Sequence, residues 1–567
     1  MEINAEQRRA VEAQDGPVAI IAGPGTGKTK TLVERLHFLI AKGVPASQLL
    51  ALTFTKKSAG EMTARFGNAK VTPHISTFHA LCFELLSQKR GQVPRFITDS
   101  ARFSLLKSLA KPVEFKGRTV RELGLLISRA KNGAEDSPNL TRLASDYNSA
   151  LAALGLSDFD DLLLQTRDLL VHDTAWRTLL QARFSHILID EFQDTNALQY
   201  ELLQLLRGSD NLFVIGDPLQ SIYGFRGAAG DIFGTFMRDF PQALTLTLRT
   251  NYRSAKTVVH LANAVYPEAP ALVAHSQATG EVSTTEVLNE YSEAAWILRE
   301  IQQAIGGSDL LHAVSTDHRD EQLGLADIAV VYRNRTAARV LQKQLESSGI
   351  PFQVVGDGSP YETPAVQTII QLFAQASDPE RKAIIKDLTS LQIEAVTEQI
   401  DPTTPPHDAA VKLVGRFGFE LTGTFQQFLG VLVRFKTVNE ATAYFDDIAT
   451  QGFYDARADA VTLLTIHAAK GLEFARVFLV GAEDGILPNH KGELAEEKRL
   501  FYVAVTRAKQ RLDITYTRSR GGKSAAISPF IISIDESILP RHRDPALESD
   551  MRRAHKRYAK RSQTALF

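Results

Sequence analysis

The sequence predicts an α/β protein with two domains, each built on a parallel β-sheet. Short apolar runs typical of buried strands alternate with helical stretches, and this alternation occurs in two separate blocks. A glycine-rich segment lies between the first strand-like run and the first long helical stretch. The length of 567 residues is enough for several domains.

Predicted strands define both blocks, because apolar and β-branched runs are typical of buried strands. A polar stretch at 274–286 is expected to link the blocks, and residues 401–408 are predicted to form a Pro/Thr-rich connector. The predicted strands of the first block are 18–21, 49–54, 186–190, 212–216 and 244–248. Those of the second block are 327–332, 352–355, 461–466, 476–481 and 512–516.

The segment AGPGTGKT at 22–29 has the form of a phosphate-binding loop. It follows the strand-like run at 18–21 and precedes a helical stretch. Its three glycines allow the backbone to curl so that N–H groups face a phosphate, and the helix N-terminus adds partial positive charge. Lys28 would reach the β- and γ-phosphates of a nucleoside triphosphate, and the Thr29 hydroxyl would ligate Mg²⁺.

A pair of carboxylates follows another strand-like run, HILID at 186–190. Asp190 is suited to hold Mg²⁺ through water, and Glu191 is suited to polarise the attacking water. Two acids after a strand are usually part of an exposed loop, so their significance depends on the phosphate loop. Together the two segments predict hydrolysis of a nucleoside triphosphate.

Charge and cysteine content narrow the class of protein. The formal net charge is −1, so any nucleic-acid binding must come from local patches and stacking. One basic patch lies at 551–561, with six Lys/Arg and no acid. The single cysteine, Cys82, excludes an intramolecular disulfide and a thiolate-based zinc site, and it suits a reducing cytoplasm. The N-terminal residues lack the apolar core of a signal peptide, and no apolar run is long enough to span a membrane.

Seven further segments extend the pattern beyond the two motifs. They are NAEQRRAV at 4–11, ALTFTKKSAGEM at 51–62, STFHAL at 76–81, VIGDPLQSIYGFRGA at 214–228, LRTNYRS at 248–254, TIHAAKGLEFARVFLVG at 465–481 and EEKRLFYVAVTRAKQRL at 496–512. In this order they resemble the superfamily 1 (SF1A) DNA helicases of the UvrD/Rep/PcrA type. The loop that begins with Ala22 and the DEFQD box are that family's form of the two motifs.

The resemblance implies two RecA-like P-loop motor domains with parallel sheets, each carrying a mainly helical insertion. Longer family members have a larger domain in place of the second insertion, so we expect translocation to be kept while duplex grip or autoinhibition is altered. The expected boundaries are 1–89 and 181–270 for the first motor domain, 90–180 for its insertion, 280–375 and 456–530 for the second motor domain, 376–455 for its reduced insertion and 531–567 for a basic C-terminal tail.

The resemblance also implies roles around a bound ATP. Gln7 and Tyr252 would bind the adenine, and Glu473 would bind the ribose. The implied catalytic set comprises Lys28, Glu191, Gln220, Arg253 and Arg507. In this set Glu191 would be the general base, Gln220 would sense the γ-phosphate, and the two arginines would bring positive charge to it. The full ATP-binding set is Gln7, Ala22, Gly23, Pro24, Gly25, Thr26, Gly27, Lys28, Thr29, Lys30, Tyr252, Arg253, Glu473 and Arg507, and Thr29 and Asp190 would hold Mg²⁺.

Single-stranded DNA is the implied track. Phe54, Tyr223 and Phe225 are placed as this family places its base-stacking residues, and stacking contributes roughly 1–3 kcal/mol per base. Phe225 departs from the family pattern, since relatives usually carry Trp there and Phe offers a smaller face. The candidate contacts to the DNA backbone are Lys57, His79 and Arg226.

The expected function is therefore ATP-dependent 3′–5′ movement along single-stranded DNA with separation of the duplex, in DNA repair, replication or recombination. The expected cofactors are ATP and Mg²⁺, and the expected partners are single-stranded DNA and single/double-strand junctions. The chain is expected to be a monomer or a transient dimer, cytoplasmic and nucleoid-associated. The direction of movement rests on the resemblance alone.

Three alternatives stay open. A motor that strips proteins from single strands would hydrolyse ATP on DNA but unwind poorly. A P-loop kinase or a nucleotide-gated binding module would be indifferent to single-stranded DNA, and it leaves the segments at 214–228 and 496–512 unexplained. RNA also stays open as the track, because no residue visibly tests for a 2′-hydroxyl.

The C-terminal residues Gln563–Phe567 support a separate hypothesis. Their sequence, QTALF, resembles the short peptide by which bacterial replication and repair proteins bind the sliding clamp. The alternative is a frayed tail that ends in two apolar residues by chance.

Overall fold

The structure of the chain is a computed structural model. It divides into two compact units: unit 1 comprises residues 1–279 and 492–503, and unit 2 comprises residues 280–491 and 504–567. The residues that the structure describes are 3–67, 72–97, 99–109, 119–133, 138–224, 231–306, 323–356, 361, 363–379, 381, 383, 385, 388–420, 423–449 and 454–545.

Unit 1 has a six-stranded sheet surrounded by helices. The strands of this sheet are β1 Val18–Ala22, β2 Leu49–Thr53, β3 His74–Thr77, β4 His186–Ile189, β5 Leu212–Gly216 and β6 Leu244–Leu248, and β7 Thr250–Asn251 pairs with β8 Val273–Ala274 in a separate two-stranded sheet. Its helices are α1 Ala5–Val11, α2 Lys28–Ala41, α3 Lys56–Ala64, α4 Phe78–Arg90, α5 Asp99–Leu109, α6 Val120–Lys131, α7 Pro138–Ala153, α8 Phe159–His172, α9 Thr174–Arg183, α10 Ala197–Leu206, α11 Ile232–Asp239 and α12 Lys256–Val265.

The sheet of unit 1 is parallel throughout, in the order β3-β2-β4-β5-β1-β6. Alternate residues of a strand enter different cores: Ala19 packs with Leu163 and Phe236, whereas Ile20 packs with Leu36. Both faces are therefore covered, which is why the inner strands β1, β2, β4 and β5 are apolar along most of their length. The carboxyl ends of β1, β4 and β5 lie side by side, and a parallel sheet places its ligand sites at that edge.

The five strands predicted for the first block match β1, β2, β4, β5 and β6 to within one residue. Cys82 lies in the core of unit 1, and burial raises the pKa of its thiol to about 12. The helices α5 to α9 fall in the segment predicted to be helical. Three of them, α6, α8 and α9, begin with capping side chains, which are Thr119, Asp158 and Asp173, and such caps are typical helix start signals.

Unit 2 has a larger sheet. Its strands are β9 Glu281–Asn289, β10 Ile328–Tyr332, β11 Phe352–Val355, β12 Val461–Thr465, β13 Phe474–Val480, β14 Ala508–Arg520, β15 Lys523–Ser524 and β16 Arg541–Arg543. Its helices are α13 Glu290–Ala304, α14 Arg335–Ser348, α15 Pro364–Ser377, α16 Ser390–Thr397, α17 Pro406–Phe417, α18 Gly423–Leu432, α19 Val438–Ala449, α20 Ile466–Ala469, α21 Leu494–Val505 and α22 Pro529–Ile532, and α21 begins in unit 1.

The main strands of unit 2 are parallel, in the order β11-β12-β10-β13-β14-β9-β16, and β15 forms a hairpin with β14. The predicted α/β class with parallel sheets is confirmed. Helices α15 to α19 form their own apolar core around Phe373, Phe425, Phe428 and Phe445.

Both predicted connecting segments are shorter than expected. The boundary between the two units falls at residues 279 and 280, inside the expected linker at 274–286, but residues 281–286 of this segment form the first six residues of β9, which pairs with β14 along most of its length. Its alternating valines and threonines are buried, because β-branched side chains suit a sheet surface. The connector at 401–408 ends inside α17, which begins at Pro406, where proline is favoured in the first helical turn.

Among the residues that the structure describes, no helix combines the length and the apolar character needed to cross a bilayer.

Candidate active site

The phosphate loop joins β1 to α2 in the predicted conformation. Gly25 and Gly27 have φ angles of 69° and 82°, which are in the left-handed region that favours glycine. Gly27 is the N-cap of α2 and makes no side-chain cap hydrogen bond. The Thr26 hydroxyl donates to the carbonyl of Gly23 over 2.8 Å and closes the loop. The loop thus presents backbone N–H groups and a helix N-terminus to an anion.

Gln7 holds one side of the loop. Its Nε2 donates to the carbonyl of Thr26 over 2.9 Å, and the side chain is buried. A capping box with Asn4 fixes Gln7 in the first turn of α1. A Cβ on Gly27 would lie 2.7 Å from Gln7 Nε2, so this close approach requires glycine. The predicted adenine-binding residue is therefore in contact with the phosphate loop.

Asn251 holds the other side of the loop, a role that was not predicted from the sequence. Its Nδ2 donates to the carbonyl of Pro24 over 2.8 Å. Its Oδ1 accepts the backbone N–H groups of Arg253 at 2.9 Å and Ser254 at 2.8 Å. The N–H of Tyr252 donates to the carbonyl of Gly25 over 2.8 Å. The predicted pair Tyr252 and Arg253 is thereby placed beside the loop.

Thr29 and Asp190 come together as predicted for a Mg²⁺ site. The Thr29 hydroxyl donates to Asp190 Oδ2 over 2.9 Å, so a hydroxyl and a carboxylate face the same point. Burial raises the pKa of Asp190 to about 7, the charge of Glu191 adds to this shift, and Lys28 opposes it. Among the described residues no group of three or more His, Cys, Asp or Glu could hold a metal. An oxygen pair completed by water and phosphate oxygens is the kind of site that Mg²⁺ prefers.

Lys28 begins α2, and its Nζ lies 3.5 Å from the carbonyl of Ala22. Its ammonium therefore curls back over the loop. Lys30 follows two residues later in the first turn of the same helix. The structure thus gathers the whole segment Ala22–Lys30 at the carboxyl end of β1.

Glu191 occupies an unusual backbone conformation. Its φ is 50°, and it is the one non-glycine residue with a positive φ in the described part of the chain. Such a conformation costs of order 1–3 kcal/mol and clusters at functional sites. The N–H of Glu191 donates to Asp190 Oδ1 over 3.0 Å, and Gln193 Nε2 donates to Glu191 Oε2 over 2.5 Å. The candidate base is therefore held by groups from its own turn.

Gln220 lies in the short turn Pro218–Gln220 that follows β5, the strand next to β4. Its Nε2 donates to Asp217 Oδ2 over 2.7 Å, and both side chains are buried. Burial raises the pKa of Asp217. The N–H of Asp217 donates in turn to Gln193 Oε1 over 2.9 Å. Asp217 and Gln193 are further functional candidates that were not predicted from the sequence, although Asp217 lies in the segment 214–228 and Gln193 in the DEFQD box.

The predicted base-stacking residues Phe54 and Tyr223 contact each other. Their rings are stacked with centroids 5.1 Å apart and planes 18° apart. Phe54 directly follows β2, and Lys57 lies in the first turn of α3 close after it. His79 lies in the first turn of α4, and burial lowers its pKa, so at neutral pH it offers a hydrogen bond and no positive charge. Phe225 and Arg226 lie outside the described residues.

The two predicted ATP-binding residues of unit 2 are neighbours within that unit. Glu473 precedes β13 and forms an ion pair with Lys509 at 3.1 Å. Arg507 precedes β14, and its guanidinium donates to the carbonyl of Leu472 over 3.2 Å and to the Thr506 hydroxyl over 3.0 Å. The Arg507 side chain is only 1% exposed, so its position is set by the strand pair that carries it.

The chain has a glycine loop between a strand and a helix, and a threonine hydroxyl and an Asp–Glu pair lie beside it at the edge of a parallel sheet. These features define the P-loop class of proteins. The chain belongs to the UvrD/Rep helicase family, as its motifs predicted. Residues 3–241 match the UvrD/REP helicase N-terminal domain. Residues 246–417 and 422–519 match the UvrD-like helicase C-terminal domain.

Similar proteins extend this match over nearly the whole chain. A protein of Staphylococcus aureus strain Mu50 named ATP-dependent DNA helicase PcrA is 28% identical, over 95% of this chain and 87% of its own length. A protein of the same name from Bacillus subtilis strain 168 is 29% identical, over 91% of this chain and 83% of its own length. A third, from Staphylococcus epidermidis, is 27% identical, over 95% of this chain and 87% of its own length.

Proposed function

We propose that the chain is an ATP-dependent DNA helicase that moves 3′ to 5′ along single-stranded DNA. The observation that carries this proposal is the segment Asp217–Tyr223. Its Gln220 donates to Asp217, a carboxylate that interacts electrostatically with Lys28 and Glu191, and three residues later Tyr223 stacks against Phe54. One short segment therefore contributes to both the ATP site and the aromatic pair, as a motor that couples hydrolysis to movement on bases requires.

Each residue of the ATP site has a chemical role in this proposal. Glu191 accepts a proton from the attacking water and orients it, while Lys28 neutralises charge on the β- and γ-phosphates. Arg253 and Arg507 stabilise the negative charge that develops on the γ-phosphate, which is worth about 10³–10⁵ in rate in related chemistry. A bound Mg²⁺, held by Thr29 and Asp190, would neutralise charge on the phosphate oxygens.

The DNA contacts follow from stacking. Phe54 and Tyr223 offer ring faces to successive bases without reading their sequence, and each stacked base contributes roughly 1–3 kcal/mol. Lys57 supplies positive charge near them for the phosphate backbone. Single-stranded DNA and single/double-strand junctions are the proposed substrates, in repair, replication or recombination. The proposed location is the cytoplasm and nucleoid, and the proposed state is a monomer or a transient dimer.

Steady-state ATP hydrolysis with and without an oligothymidine tests the core of the proposal. The chain should be strongly stimulated by the oligonucleotide, and the Glu191→Gln variant should bind ATP and DNA but turn over very slowly. Strand separation on duplexes with a 3′ or a 5′ single-stranded tail tests the direction. Hydrolysis that ignores the oligonucleotide would favour a P-loop kinase or binding module, and full turnover by Glu191→Gln would remove the assigned base.

A second candidate function is translocation with little unwinding, for removal of proteins bound to single strands. The observation that favours it is the compact core of α15 to α19, which stands where longer relatives carry a larger domain. Stimulated ATP hydrolysis together with weak strand separation and efficient displacement of a protein roadblock would select it. Processive unwinding would count against it.

We also propose that Gln563–Phe567, outside the described residues, binds the sliding clamp. Deletion of these five residues should abolish binding to the clamp and leave ATP hydrolysis unchanged. Clamp binding that survives the deletion would end this proposal.

A further inference from the structure

Gln193 is a buried amide with both ends engaged. The side chain is 1% exposed, its Nε2 donates to Glu191 Oε2 over 2.5 Å, and its Oε1 accepts the N–H of Asp217 at 2.9 Å. A hydrogen bond to a carboxylate is stronger than one between neutral groups, and a buried amide cannot exchange its partners for water. The orientation of the Glu191 carboxylate is therefore tied to the backbone at Asp217.

The end of β5 is shaped to admit this amide. A Cβ on Gly216 would lie 2.2 Å from Gln193 Oε1 and 3.0 Å from the backbone nitrogen of Phe192. Gly216 has an ordinary φ, so its requirement for glycine comes from this close approach alone. The Phe192 ring is packed edge-on against Phe233 at 5.1 Å, which anchors the turn that carries Gln193.

The segment that follows Asp217 is connected to Gln193 at a second point. The Ser221 hydroxyl donates to the carbonyl of Gln193 over 3.1 Å, and the carbonyl of Ser221 accepts Arg499 Nε at 2.7 Å. Asp217 also accepts the Gln220 amide, so the turn between them is internally fixed. Tyr223 stands two residues after Ser221. The chain between Tyr223 and Gln193 thus runs through a short, hydrogen-bonded turn.

We propose that Gln193 is a positioning residue through which a base stacked on Tyr223 sets the orientation of the Glu191 carboxylate. In this arrangement DNA stimulation of ATP hydrolysis passes through the side chain of Gln193. The inference rests on the proposed function, because it assumes that Tyr223 stacks on DNA and that Glu191 is the base. It adds the physical connection between those two sites.

The test compares ATP hydrolysis with and without an oligothymidine in the full-length chain and two variants. Gln193→Ala removes both hydrogen bonds, and Gln193→Glu keeps the acceptor for Asp217 but replaces the donor to Glu191 by a second carboxylate. The ratio of stimulated to unstimulated kcat should fall by about tenfold to a hundredfold in both variants, from loss of a hydrogen bond to a charged group. Affinity for a non-hydrolysable ATP analogue and for the oligothymidine should stay unchanged.

Gln199→Ala is the matched control. Gln199 is also a buried glutamine of unit 1, and its Oε1 accepts a backbone N–H, that of Asn196 at 3.1 Å. Its loss should leave the ratio of the two rates unchanged, even if thermal stability falls.

The possible outcomes separate this inference from the proposed function. If the unaltered chain is stimulated by DNA and the Gln193 variants keep the same ratio, the connection is overturned even if both rates fall together. An equal fall of the ratio in Gln199→Ala also overturns it, since local unfolding would then explain the effect. If the unaltered chain shows no stimulation, the proposed function and this inference fail together.

Discussion

Asn251→Ala is expected to uncouple the phosphate loop from the segment that carries Arg253. The substitution removes three hydrogen bonds: the one to the Pro24 carbonyl and the two from the N–H groups of Arg253 and Ser254. Asn251 is 2% exposed, so water cannot replace these partners without a local rearrangement. The loop and the segment would then be joined mainly by the bond between Tyr252 and Gly25.

The expected magnitude follows from those contacts. A typical intramolecular hydrogen bond contributes about 0.5–1.5 kcal/mol net, so three of them give about 2–4 kcal/mol. Since about 1.4 kcal/mol corresponds to a factor of ten, even half of this loss would weaken nucleotide binding about tenfold. Gly25 adds to the effect, because its left-handed backbone packs directly against Asn251 and Arg253.

A fluorescent ATP analogue measures the affinity, and steady-state hydrolysis gives KM and kcat. Asn211→Ala is the matched control. Asn211 also joins two backbone groups, since its Oδ1 accepts the N–H of Gly16 at 2.9 Å and its Nδ2 donates to Ser185 over 3.3 Å. It stands before β5, at the opposite edge of the sheet from the phosphate loop. Asn211→Ala should lower thermal stability and leave the nucleotide affinity unchanged.

Equal affinity of Asn251→Ala and the unaltered chain for the ATP analogue would refute this role of Asn251. An equal loss of nucleotide affinity in Asn211→Ala would refute it as well. In either case Asn251 would serve stability alone.

Three further predictions concern other parts of the chain. Phe54→Ala and Tyr223→Ala should each weaken binding of a labelled oligothymidine about fivefold to a hundredfold. Because the two rings contact each other, the double variant should lose less binding free energy than the sum of the two single losses. Fluorescence anisotropy measures the affinity, and binding of the ATP analogue is the control. Arg520→Ala should destabilise unit 2 by about 3–5 kcal/mol, because it leaves the buried carboxylates of Glu293 and Glu483 without their shared cation. Burial raises the pKa of Glu293, so at mildly acidic pH this carboxyl group takes up a proton and the variant no longer buries an unpaired charge there. Thermal melts should therefore show a smaller loss of stability at mildly acidic than at mildly alkaline pH, and the opposite trend would contradict this prediction. Cys82 should resist a thiol reagent until the chain unfolds, because burial raises its pKa to about 12, and rapid labelling of the native chain would show that its core opens.

The strands that could be predicted from the sequence are those with continuous aliphatic runs. β1 and β4 carry Val, Ile and Leu on both faces, so the pattern is visible without tertiary information. β3, at the edge of its sheet, has a single aliphatic residue, Ile75, and was missed. The first six residues of β9 lie in the predicted linker at 274–286, because they include Ser283, Thr284 and Thr285 and look polar, and only the partner strand β14 shows that Thr284 and Thr285 belong in the interior.

The residues of the candidate site also fall into two groups, those that could be predicted from the sequence and those that could not. The phosphate loop and the Asp–Glu pair are local in the sequence, and their residue types state their chemistry. Asn251 acts on Pro24, which is 227 positions away, and Gln193 acts on Asp217, 24 positions away. An amide has no chemistry of its own that would identify such a partner, so these roles became visible only with the fold.

The left-handed backbone of Glu191 has a consequence for protein engineering. Glycine or asparagine adopts this conformation more readily than glutamate, so either substitution would relieve local strain while removing the carboxylate. With the proposed role of Glu191 as the base, selection of variants for heat resistance alone would favour loss of the catalytic carboxylate at this position. Efforts to raise the thermostability of the chain should therefore keep Glu191 and change other residues, because under this proposal thermostability and turnover are opposed at one residue.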